Sequence, residues 1–496
     1  MNYISTRSET GRIKHPSAYV IKQGIADDGG LYVPETIPQL NEEDFRTLIK
    51  MNYIDRAAYI LGLFLTDYTK EELTAAATAA YGRRKFPSPP VRLSQVANDY
   101  VLELWHGPTS AFKDMALQIM PHLMSLSLKK TGEERDALIL VATSGDTGKA
   151  ALEGYADADR VSIQVFYPNE GVSNIQKKQM ASQSGKNLCV TAIKGNFDDA
   201  QSGVKAIFAD KDIEKAFLDK NLFLSSANSI NWGRLAPQIV YYVSSYCELI
   251  KLKKIKLGDK LNVTVPTGNF GNILACYIAK KMGVPIGKMV CASNRNKVLT
   301  DFLNTGVYDR RRTFYTTFSP SMDILISSNL ERLLFMVAGA ARCAKYMRSL
   351  SENGIFEVEK EVLDAIKEDF CGFFCDESST KDTINSYYKS YNYLSDTHTA
   401  VGLFCSGEYK RQTGDNSAML IASTASPYKF APAVLSSLGE TVPDEEFEAL
   451  RKLNRLSGVR IPSRLSSLER KKVRFDKIIE KADMKKEVME FASKLK

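Results

Sequence analysis

One lysine in the sequence stands in a setting that favours amine chemistry. Lys113 follows a Gly-Pro turn and precedes a helical stretch, Met115 to Met124, that is apolar on one face. We expect Ser110 to cap this helix and Pro121 to kink it. A helix N-terminus disfavours an ammonium ion, and apolar surroundings lower the pKa of a lysine amine. The neutral amine is the form that condenses with carbonyl compounds to give Schiff bases. An ordinary lysine whose charged end reaches solvent is the alternative.

Two glycine-rich turns could hold an anionic ligand. Residues 143–148 read Thr-Ser-Gly-Asp-Thr-Gly, and residues 266–272 read Pro-Thr-Gly-Asn-Phe-Gly-Asn. Each turn follows an apolar run and precedes a helical stretch, so the first N–H groups of the helix can meet an anion. The second turn lacks the Gly-Lys-Ser/Thr ending of a P-loop and the three-glycine spacing of a dinucleotide-binding turn. An ordinary strand–helix turn, with Asp146 or the asparagines as caps, is the alternative.

The segments that must position these residues alternate between short apolar runs and helical stretches. We predict strands at 137–142, 161–167, 188–193, 261–265, 289–292 and 418–422. Helical spacing follows from Lys149 and at 198–209 and 273–282. This alternation favours parallel sheets covered by helices, in which ligands bind beyond the carboxyl ends of strands. A third turn, Ser-Thr-Ala-Ser-Pro at 423–427, also closes a strand, although hydroxyl residues are common turn formers.

Length and composition bound the class of protein. A chain of 496 residues exceeds one ordinary core, so we expect two or three domains. The first ninety-odd residues are mainly helical in pattern and end at a proline-rich boundary, 86–90, and the tail after about Gly439 is charged and helical. A hydrophobic share of 44% excludes a chain that is disordered throughout. A net charge of +8 over 496 residues is too small to indicate a nucleic-acid-binding surface.

Signals for export, membranes and metals are missing from the sequence. The first residues contain no apolar signal core, and no apolar run approaches the roughly 18 residues of a membrane helix. The eight cysteines are scattered, as in a reduced cytosolic protein. Cys371 and Cys375 have no second cysteine or histidine pair nearby, which argues against zinc. We therefore expect a cytoplasmic protein that binds no membrane, no nucleic acid and no metal.

Taken together, the motifs resemble those of the threonine synthase family, whose members use pyridoxal 5′-phosphate. The matching segments, in chain order, are 5–7, 28–34, 106–114, 143–148, 168–173, 226–234, 266–272, 396–402 and 423–427. The Ser-Gly-Asp-Thr-Gly turn is similar to the fungal and enterobacterial branch, because the plant-like branch has Asn at the position of Asp146. The resemblance implies an α/β protein of PLP-dependent fold type II (tryptophan synthase β-like), with parallel sheets covered by helices in two domains plus an N-terminal, mainly helical domain.

The domain boundaries follow from this resemblance and from the composition shifts. We place an N-terminal domain at 1–95 and a small α/β domain at 137–235. The large cofactor-binding domain comprises 96–136 and 236–440, and a C-terminal helical extension covers 441–496.

The resemblance also assigns a role to each turn. Lys113 matches the lysine that binds pyridoxal phosphate through a Schiff base. Thr424 matches the hydroxyl that faces the pyridine nitrogen, which makes the ring a weaker electron sink than a carboxylate would. The cradle for the cofactor phosphate is matched by Gly268, Asn269, Phe270, Gly271 and Asn272.

Substrate residues are implied on the facing side. The turn near the substrate carboxylate and phosphate is matched by Ser144, Gly145, Asp146 and Thr147. Because a dianionic phosphate needs cationic and hydroxyl partners, Asn228, Arg234 and Lys177 are further candidates. For Arg234 an ion pair at a helix start is an equal alternative. We expect His398 to anchor a loop, with an active-site position as the alternative.

The reaction implied by the resemblance is that of threonine synthase. O-Phospho-L-homoserine and water give L-threonine and phosphate through γ-elimination and β-addition of water, and the Lys113 amine removes the α-proton. A related phospho-lyase that gives 2-oxobutyrate, or a non-catalytic binding protein on the same fold, are the alternatives. We expect a monomer or a homodimer.

Overall fold

The structure is a computed structural model that describes residues 1–8, 11, 13–143, 145–170 and 172–495. Its N-terminal part is a mainly helical layer with a short antiparallel ribbon. The elements of this part are β1 (Tyr3–Ser5), α1 (Ser17–Gln23), β2 (Tyr32–Pro34), α2 (Glu42–Lys50), α3 (Tyr53–Phe64) and α4 (Lys70–Tyr81). Local sequence explains the helix starts, because Asn41, Asn52 and Thr69 each accept hydrogen bonds from N–H groups of the first turn.

The middle of the chain alternates between strands and helices. Its elements are β3 (Arg92–Val96), β4 (Asp99–Glu103), α5 (Asp114–Leu117), α6 (Met120–Lys130), β5 (Asp136–Ala142), α7 (Asp146–Tyr155), β6 (Val161–Pro168), α8 (Asn174–Ala181), β7 (Leu188–Lys194), α9 (Phe197–Phe208), α10 (Lys211–Leu218), β8 (Leu222–Ser225), α11 (Trp232–Lys251), β9 (Leu261–Pro266), α12 (Gly271–Lys281) and β10 (Ile286–Ser293).

The last third of the chain is richer in helices. Its elements are α13 (Val298–Thr305), β11 (Val307–Asp309), α14 (Leu330–Ala338), α15 (Ala340–Asn353), β12 (Ile355–Glu357), α16 (Lys360–Asp369), β13 (Phe370–Phe374), α17 (Glu377–Tyr391), α18 (Thr397–Thr413), β14 (Met419–Ser423), α19 (Ala431–Ser437), α20 (Glu446–Ser457), α21 (Ser463–Ser466), β15 (Ile478–Glu480) and α22 (Met484–Ala492). Short 3₁₀ turns lie at Pro320–Met322, Pro427–Phe430, Leu468–Arg470 and Lys481–Asp483.

Two sheets organise these elements. Among the described residues, the larger sheet has the order β13-β10-β9-β14-β4-β3 and is parallel except for the β3–β4 pair. The smaller sheet has the order β15-β7-β6-β5-β8 and is parallel throughout. Every residue of the central strands β9 and β14 is buried, as expected for parallel strands covered on both faces.

Helix α11 connects the N-terminal layer to the larger sheet. It is buried along almost its whole length, and Trp232 at its start is fully buried. The Trp232 ring packs edge-on against Tyr3 and beside Phe64, so one apolar core continues from the N-terminal layer through α11 to β9 and α12. A second core fills one face of the smaller sheet.

Every predicted strand is present, but several elements were missed. The strands missed are β1, β2, β3, β4, β8, β11, β12, β13 and β15. The predicted helix 115–124 is divided into α5 and α6, because Pro121 lies in the first turn of α6, where its missing N–H is harmless. The prediction that Ser110 caps this helix is wrong: Ser110 has φ +60°, and Lys113 occupies the N-cap position.

Three properties of the whole chain bear on function. All eight cysteines, each within the described ranges, are free thiols. In the part of the chain that the structure describes, no three His, Cys, Asp or Glu side chains are grouped so as to hold a metal ion. None of the described helices combines the length and apolarity needed to cross a membrane.

Candidate active site

Lys113 lies beside the carboxyl end of β14. The Phe112 N–H donates to the Thr424 carbonyl at 2.8 Å, and the Ser426 N–H donates to the Ser110 carbonyl at 3.1 Å. These two bonds bracket an isolated antiparallel bridge, so the segment before α5 is fixed against the turn that follows β14. The sequence-predicted residues Lys113 and Thr424 are therefore neighbours.

The Lys113 side chain is partly buried, and its amine has few polar contacts. Its only hydrogen bond within the described chain is a long one, 3.5 Å from Nζ to Ser321 Oγ. Burial lowers the pKa of this amine to about 8; the charge of Asp146 opposes the change, and those of Arg234 and Lys429 add to it. The predicted lowering is present, and its main cause is burial. A substantial fraction of the amine is therefore neutral near pH 8, as condensation with a carbonyl requires.

The turn between β9 and α12 offers unpaired backbone donors. Within the described chain, none of the N–H groups of residues 268–272 donates a hydrogen bond to protein. Phe270 has φ +62°, a left-handed conformation that is strained for a residue with a side chain. Turns that contain such a residue form concave groups of N–H donors that bind anions. The turn therefore has the form of an anion cradle.

Asn272 adds a side-chain donor to this cradle. Its Oδ1 accepts hydrogen bonds from the hydroxyls of Tyr241 at 2.8 Å and Tyr242 at 2.5 Å. These bonds orient the amide, whose Nδ2 is buried and has no partner in the described chain. A buried donor without a partner costs about 1–3 kcal/mol, which a bound anion would recover.

A neighbouring segment clamps the cradle from outside. The Ser327 hydroxyl donates to the Gly268 carbonyl at 2.7 Å. The backbone N–H and the side-chain amide of Asn329 both donate to the Asn269 carbonyl at 3.1 Å. Because Ser327 and Asn329 bind the carbonyls of Gly268 and Asn269, the N–H groups of the turn remain available for a ligand.

Ser321 connects the cradle to the amine. Its carbonyl oxygen lies 2.9 Å from the position that a Cβ on Gly268 would occupy, and its hydroxyl faces Lys113. The Ser321 N–H donates to His398 Nε2 at 3.1 Å, and His398 Nδ1 lies 2.8 Å from Asp396 Oδ2. The interpretation of His398 as a loop anchor is thus confirmed: Nε2 accepts, so Nδ1 donates to the carboxylate.

The turn after β5 faces this site from the smaller sheet. Gly145 has φ +141°, and a Cβ there would lie 2.6 Å from the Gln176 amide. Asp146 begins α7 without capping it, so the capping interpretation is wrong. Its buried Oδ1 accepts from Lys429 Nζ at 2.6 Å and from Gln176 Nε2 at 2.7 Å. Burial alone would raise the Asp146 pKa, but the charges of Lys429 and Lys113 hold it well below its usual range.

Arg234 is a buried cation without an anionic partner. Its side chain donates to the Ala227 carbonyl at 2.8 Å, and no carboxylate in the described chain pairs with it. Among the described residues, the alternative of an ion pair at the helix start is therefore not observed. Burial lowers the guanidinium pKa to about 10, and its charge acts on Lys113. Its remaining N–H donors suit a substrate anion.

The remaining predicted residues make few hydrogen bonds through their side chains within the described chain. The hydroxyls of Thr424 and Thr147 and the amide of Asn228 make no hydrogen bond within the described chain, which leaves them available to a ligand. Lys177, in α8, donates to the carbonyl of Asn169 in the segment between β6 and that helix. Ser144 lies outside the described residues.

Comparison with known proteins identifies the family. The family profile "Threonine synthase N terminus" matches residues 2–81, "Pyridoxal-phosphate dependent enzyme" matches 83–381, and "Threonine synthase, C-terminal" matches 399–489. The chain belongs to the threonine synthase family. Its members are pyridoxal-phosphate-dependent lyases, so the predicted fold class, enzyme class and cofactor are confirmed.

Individual members of the threonine synthase family show how far the similarity extends. Threonine synthase-like 1 of Homo sapiens is 40% identical over 431 residues, which cover 84% of this chain but 57% of that protein. The chain thus spans little more than half the length of that relative. Threonine synthase of Saccharomyces cerevisiae is 36% identical over 465 residues, covering 88% and 89% of the two chains. The crystal structure of PLP-bound threonine synthase from Brucella melitensis is 36% identical, with a TM-score of 0.87 over 99% of this chain and 98% of that one.

The residues present fit pyridoxal phosphate. The orphaned Asn272 amide and the unpaired N–H groups of 268–272 suit a phosphate, and Lys113 suits an aldehyde. The residues that sequence reasoning missed are Ser321, Asn329, Gln176 and Lys429. Each of them contacts a site residue that is distant in sequence, and no local sequence motif predicts such a contact.

Proposed function

We propose that this chain converts O-phospho-L-homoserine and water into L-threonine and phosphate, with Lys113 as the catalytic residue. The observation that carries the proposal is the position of the Lys113 amine. It is connected through Ser321 to a turn whose N–H groups have no partner in the described chain, and the charge of Arg234, a buried cation without a counterion among the described residues, acts on it. This arrangement supplies one anion site for the cofactor phosphate and a second for a phosphorylated substrate.

Cofactor binding is proposed for the residues on the larger sheet. The N–H groups of 268–272 and Asn272 Nδ2 would hold the phosphate, Lys113 the aldehyde, and the Thr424 hydroxyl the ring nitrogen. When bound, pyridoxal phosphate supplies the conjugated ring that delocalises the electron pair left by C–H cleavage. Because Thr424 is neutral, the surrounding charges carry more of this stabilisation.

Lys113 is the residue proposed to transfer protons. Its amine in the neutral form takes a proton from the substrate carbon, and its ammonium form returns a proton later in the cycle. A pKa near 8 suits both directions at neutral pH. Ser321, held by His398, limits the positions that the amine can occupy.

Substrate binding is proposed for the facing side of the site. Arg234 offers charge-assisted hydrogen bonds, and Thr147 and Asn228 offer neutral donors. We extend the same proposal to Ser144 and Gly145 on the turn that carries Asp146. Burial of Arg234 excludes water and strengthens each of these interactions.

Product analysis tests the proposal. Protein loaded with pyridoxal phosphate is incubated with O-phosphohomoserine, and amino acids, keto acids and phosphate are quantified together. Threonine in equal amount to phosphate is expected. 2-Oxobutyrate in equal amount would instead establish the phospho-lyase, and no phosphate release would establish a binding protein.

A pair of lysine variants makes the test specific. Lys113→Ala should abolish turnover and the absorbance band of the protein–cofactor imine. Lys410→Ala is the control, because Lys410 is also largely buried and paired with a carboxylate, Asp99, at the opposite edge of the sheet. Turnover retained by Lys113→Ala would refute the role of Lys113.

A further inference from the structure

A second buried lysine joins the segments that carry the candidate site. Lys429 lies in the 3₁₀ turn Pro427–Phe430 and is completely buried. Its Nζ lies 2.6 Å from Asp146 Oδ1 on the smaller sheet's turn. The same Nζ donates to the Thr109 carbonyl at 3.1 Å. One ammonium thus contacts both the turn after β5 and the segment that precedes Lys113.

The Thr109 contact leads directly to the catalytic segment. The N–H and the hydroxyl of Thr109 both donate to the buried Asp114 carboxylate at 2.8 Å, which closes the chain from 109 to 114 into a compact loop. Lys113 is part of that loop. Lys429 therefore fixes the loop from its carbonyl side while the hydrogen bonds to Thr424 and Ser110 fix it along its edge.

The Asp146 contact is equally constrained. Gln176 donates to the same carboxylate oxygen, and its amide fills the space beside Gly145. The 145–148 turn is therefore held through one carboxylate, by Lys429 from the larger sheet and by Gln176 from α8. A buried carboxylate that loses its cation is strongly unfavourable, so the turn depends on Lys429.

Three charged groups from three elements face the Lys113 amine. They are Asp146 at the start of α7, Arg234 in α11 and Lys429 after β14. Only Asp146 is negative. Its orientation beside Lys113 is set by Lys429, which none of the roles proposed above includes.

We propose that Lys429 is a positioning residue that holds the 145–148 turn closed against the Lys113 loop and keeps the ionised Asp146 carboxylate beside the reacting amine. The proposal rests on the role proposed for Lys113. It assigns Lys429 no contact with substrate or cofactor, and it makes Asp146 an electrostatic partner of the amine.

The test is a pH titration of the imine absorbance band in the protein loaded with pyridoxal phosphate. Asp146→Asn removes the negative charge but keeps the side-chain shape, so the midpoint should fall by about one pH unit. Lys429→Met removes the cation that holds Asp146, so the carboxylate moves away from the amine or takes up a proton. The midpoint should then fall, by less than in Asp146→Asn because the positive charge of Lys429 is lost as well. Lys429→Arg should restore a midpoint close to that of the unmodified protein.

The control is Lys410→Met, which removes another largely buried lysine–aspartate pair, with its atoms 2.5 Å apart. Its midpoint should not move. A fall in both Asp146→Asn and Lys429→Met supports positioning, because a Lys429 that acted only through its own charge would raise the midpoint when removed. A rise or no displacement in Lys429→Met would overturn the proposal. If that variant fails to fold, an unchanged midpoint in Asp146→Asn would overturn it instead. A band that persists in Lys113→Ala would instead refute the proposed function itself.

Discussion

Adding one methyl group to the phosphate cradle should weaken cofactor binding without unfolding the protein. In Gly268→Ala the new Cβ would lie 2.9 Å from the Ser321 carbonyl oxygen and 3.4 Å from Met322 Cα. Both are backbone atoms, so relief requires the turn or the 320–322 segment to move by roughly half an ångström. Overpacking of this kind costs about 1–3 kcal/mol. If that cost falls on the bound state, the Kd for pyridoxal phosphate rises by about tenfold for each 1.4 kcal/mol.

The assay is titration of cofactor-free protein with pyridoxal phosphate, followed by the imine band, together with thermal unfolding of the cofactor-free form. Gly407→Ala is the matched control: this exposed glycine lies inside α18, and a Cβ there meets nothing within 4 Å. It should stabilise the protein by roughly 0.5–1 kcal/mol and leave the Kd unchanged. Unchanged cofactor affinity in Gly268→Ala would refute the inference that this turn holds the phosphate.

Three further predictions follow from buried groups. Arg234→Met should raise the KM for O-phosphohomoserine by roughly tenfold to a hundredfold, because a charge-assisted hydrogen bond contributes about 1.5–3 kcal/mol. Steady-state kinetics measure this change. The control Arg411→Met, at an exposed arginine, should leave the KM unchanged. Burial raises the pKa of Asp114 from 3.8 to about 6, so the folded state holds a proton that the unfolded state loses. The free energy of unfolding should therefore fall as pH rises from about 4 to 6. Denaturant titrations of Asp114→Asn should show a smaller pH dependence over this range, and an identical pH dependence would contradict the raised pKa of Asp114. Ile479 is buried, and Ile479→Ala should lower the free energy of unfolding by about 2–4 kcal/mol. Its neighbour Ile478 is 48% exposed, and Ile478→Ala should change that free energy by less than about 0.5 kcal/mol. Equal losses would contradict the orientation of β15 described above.

Sequence patterns predicted the parts of the fold that are locally encoded. Strands such as β5 and β9 are continuous apolar runs because both faces are covered, and that signal survives without any knowledge of neighbours. β3 was missed because its exposed and half-buried residues give no clear alternation. β15 was missed because three residues in a charged stretch become a strand only by pairing with β7.

The same distinction applies to the candidate site. Lys113 and the 268–272 turn could be recognised because glycine, asparagine and a lysine beside a turn signal their chemistry by type. Lys429 could not, since a lysine after Ser-Pro-Tyr has the composition of a solvated turn, and only tertiary packing buries it against Asp146. Arg234 was left open between two interpretations, because only the folded structure shows that no carboxylate of the described residues pairs with it. The domain boundaries remain predictions.

The pairing of β15 with β7 has a consequence for biosynthesis. Lys194 and Glu480, which face each other across this pair, are separated by 286 residues. During translation β7 is therefore an open edge until the residues between Lys194 and Glu480 have been made, and open edges can pair with other chains. The β7–β15 pair cannot form until Ile478–Glu480 have been synthesised and have left the exit tunnel.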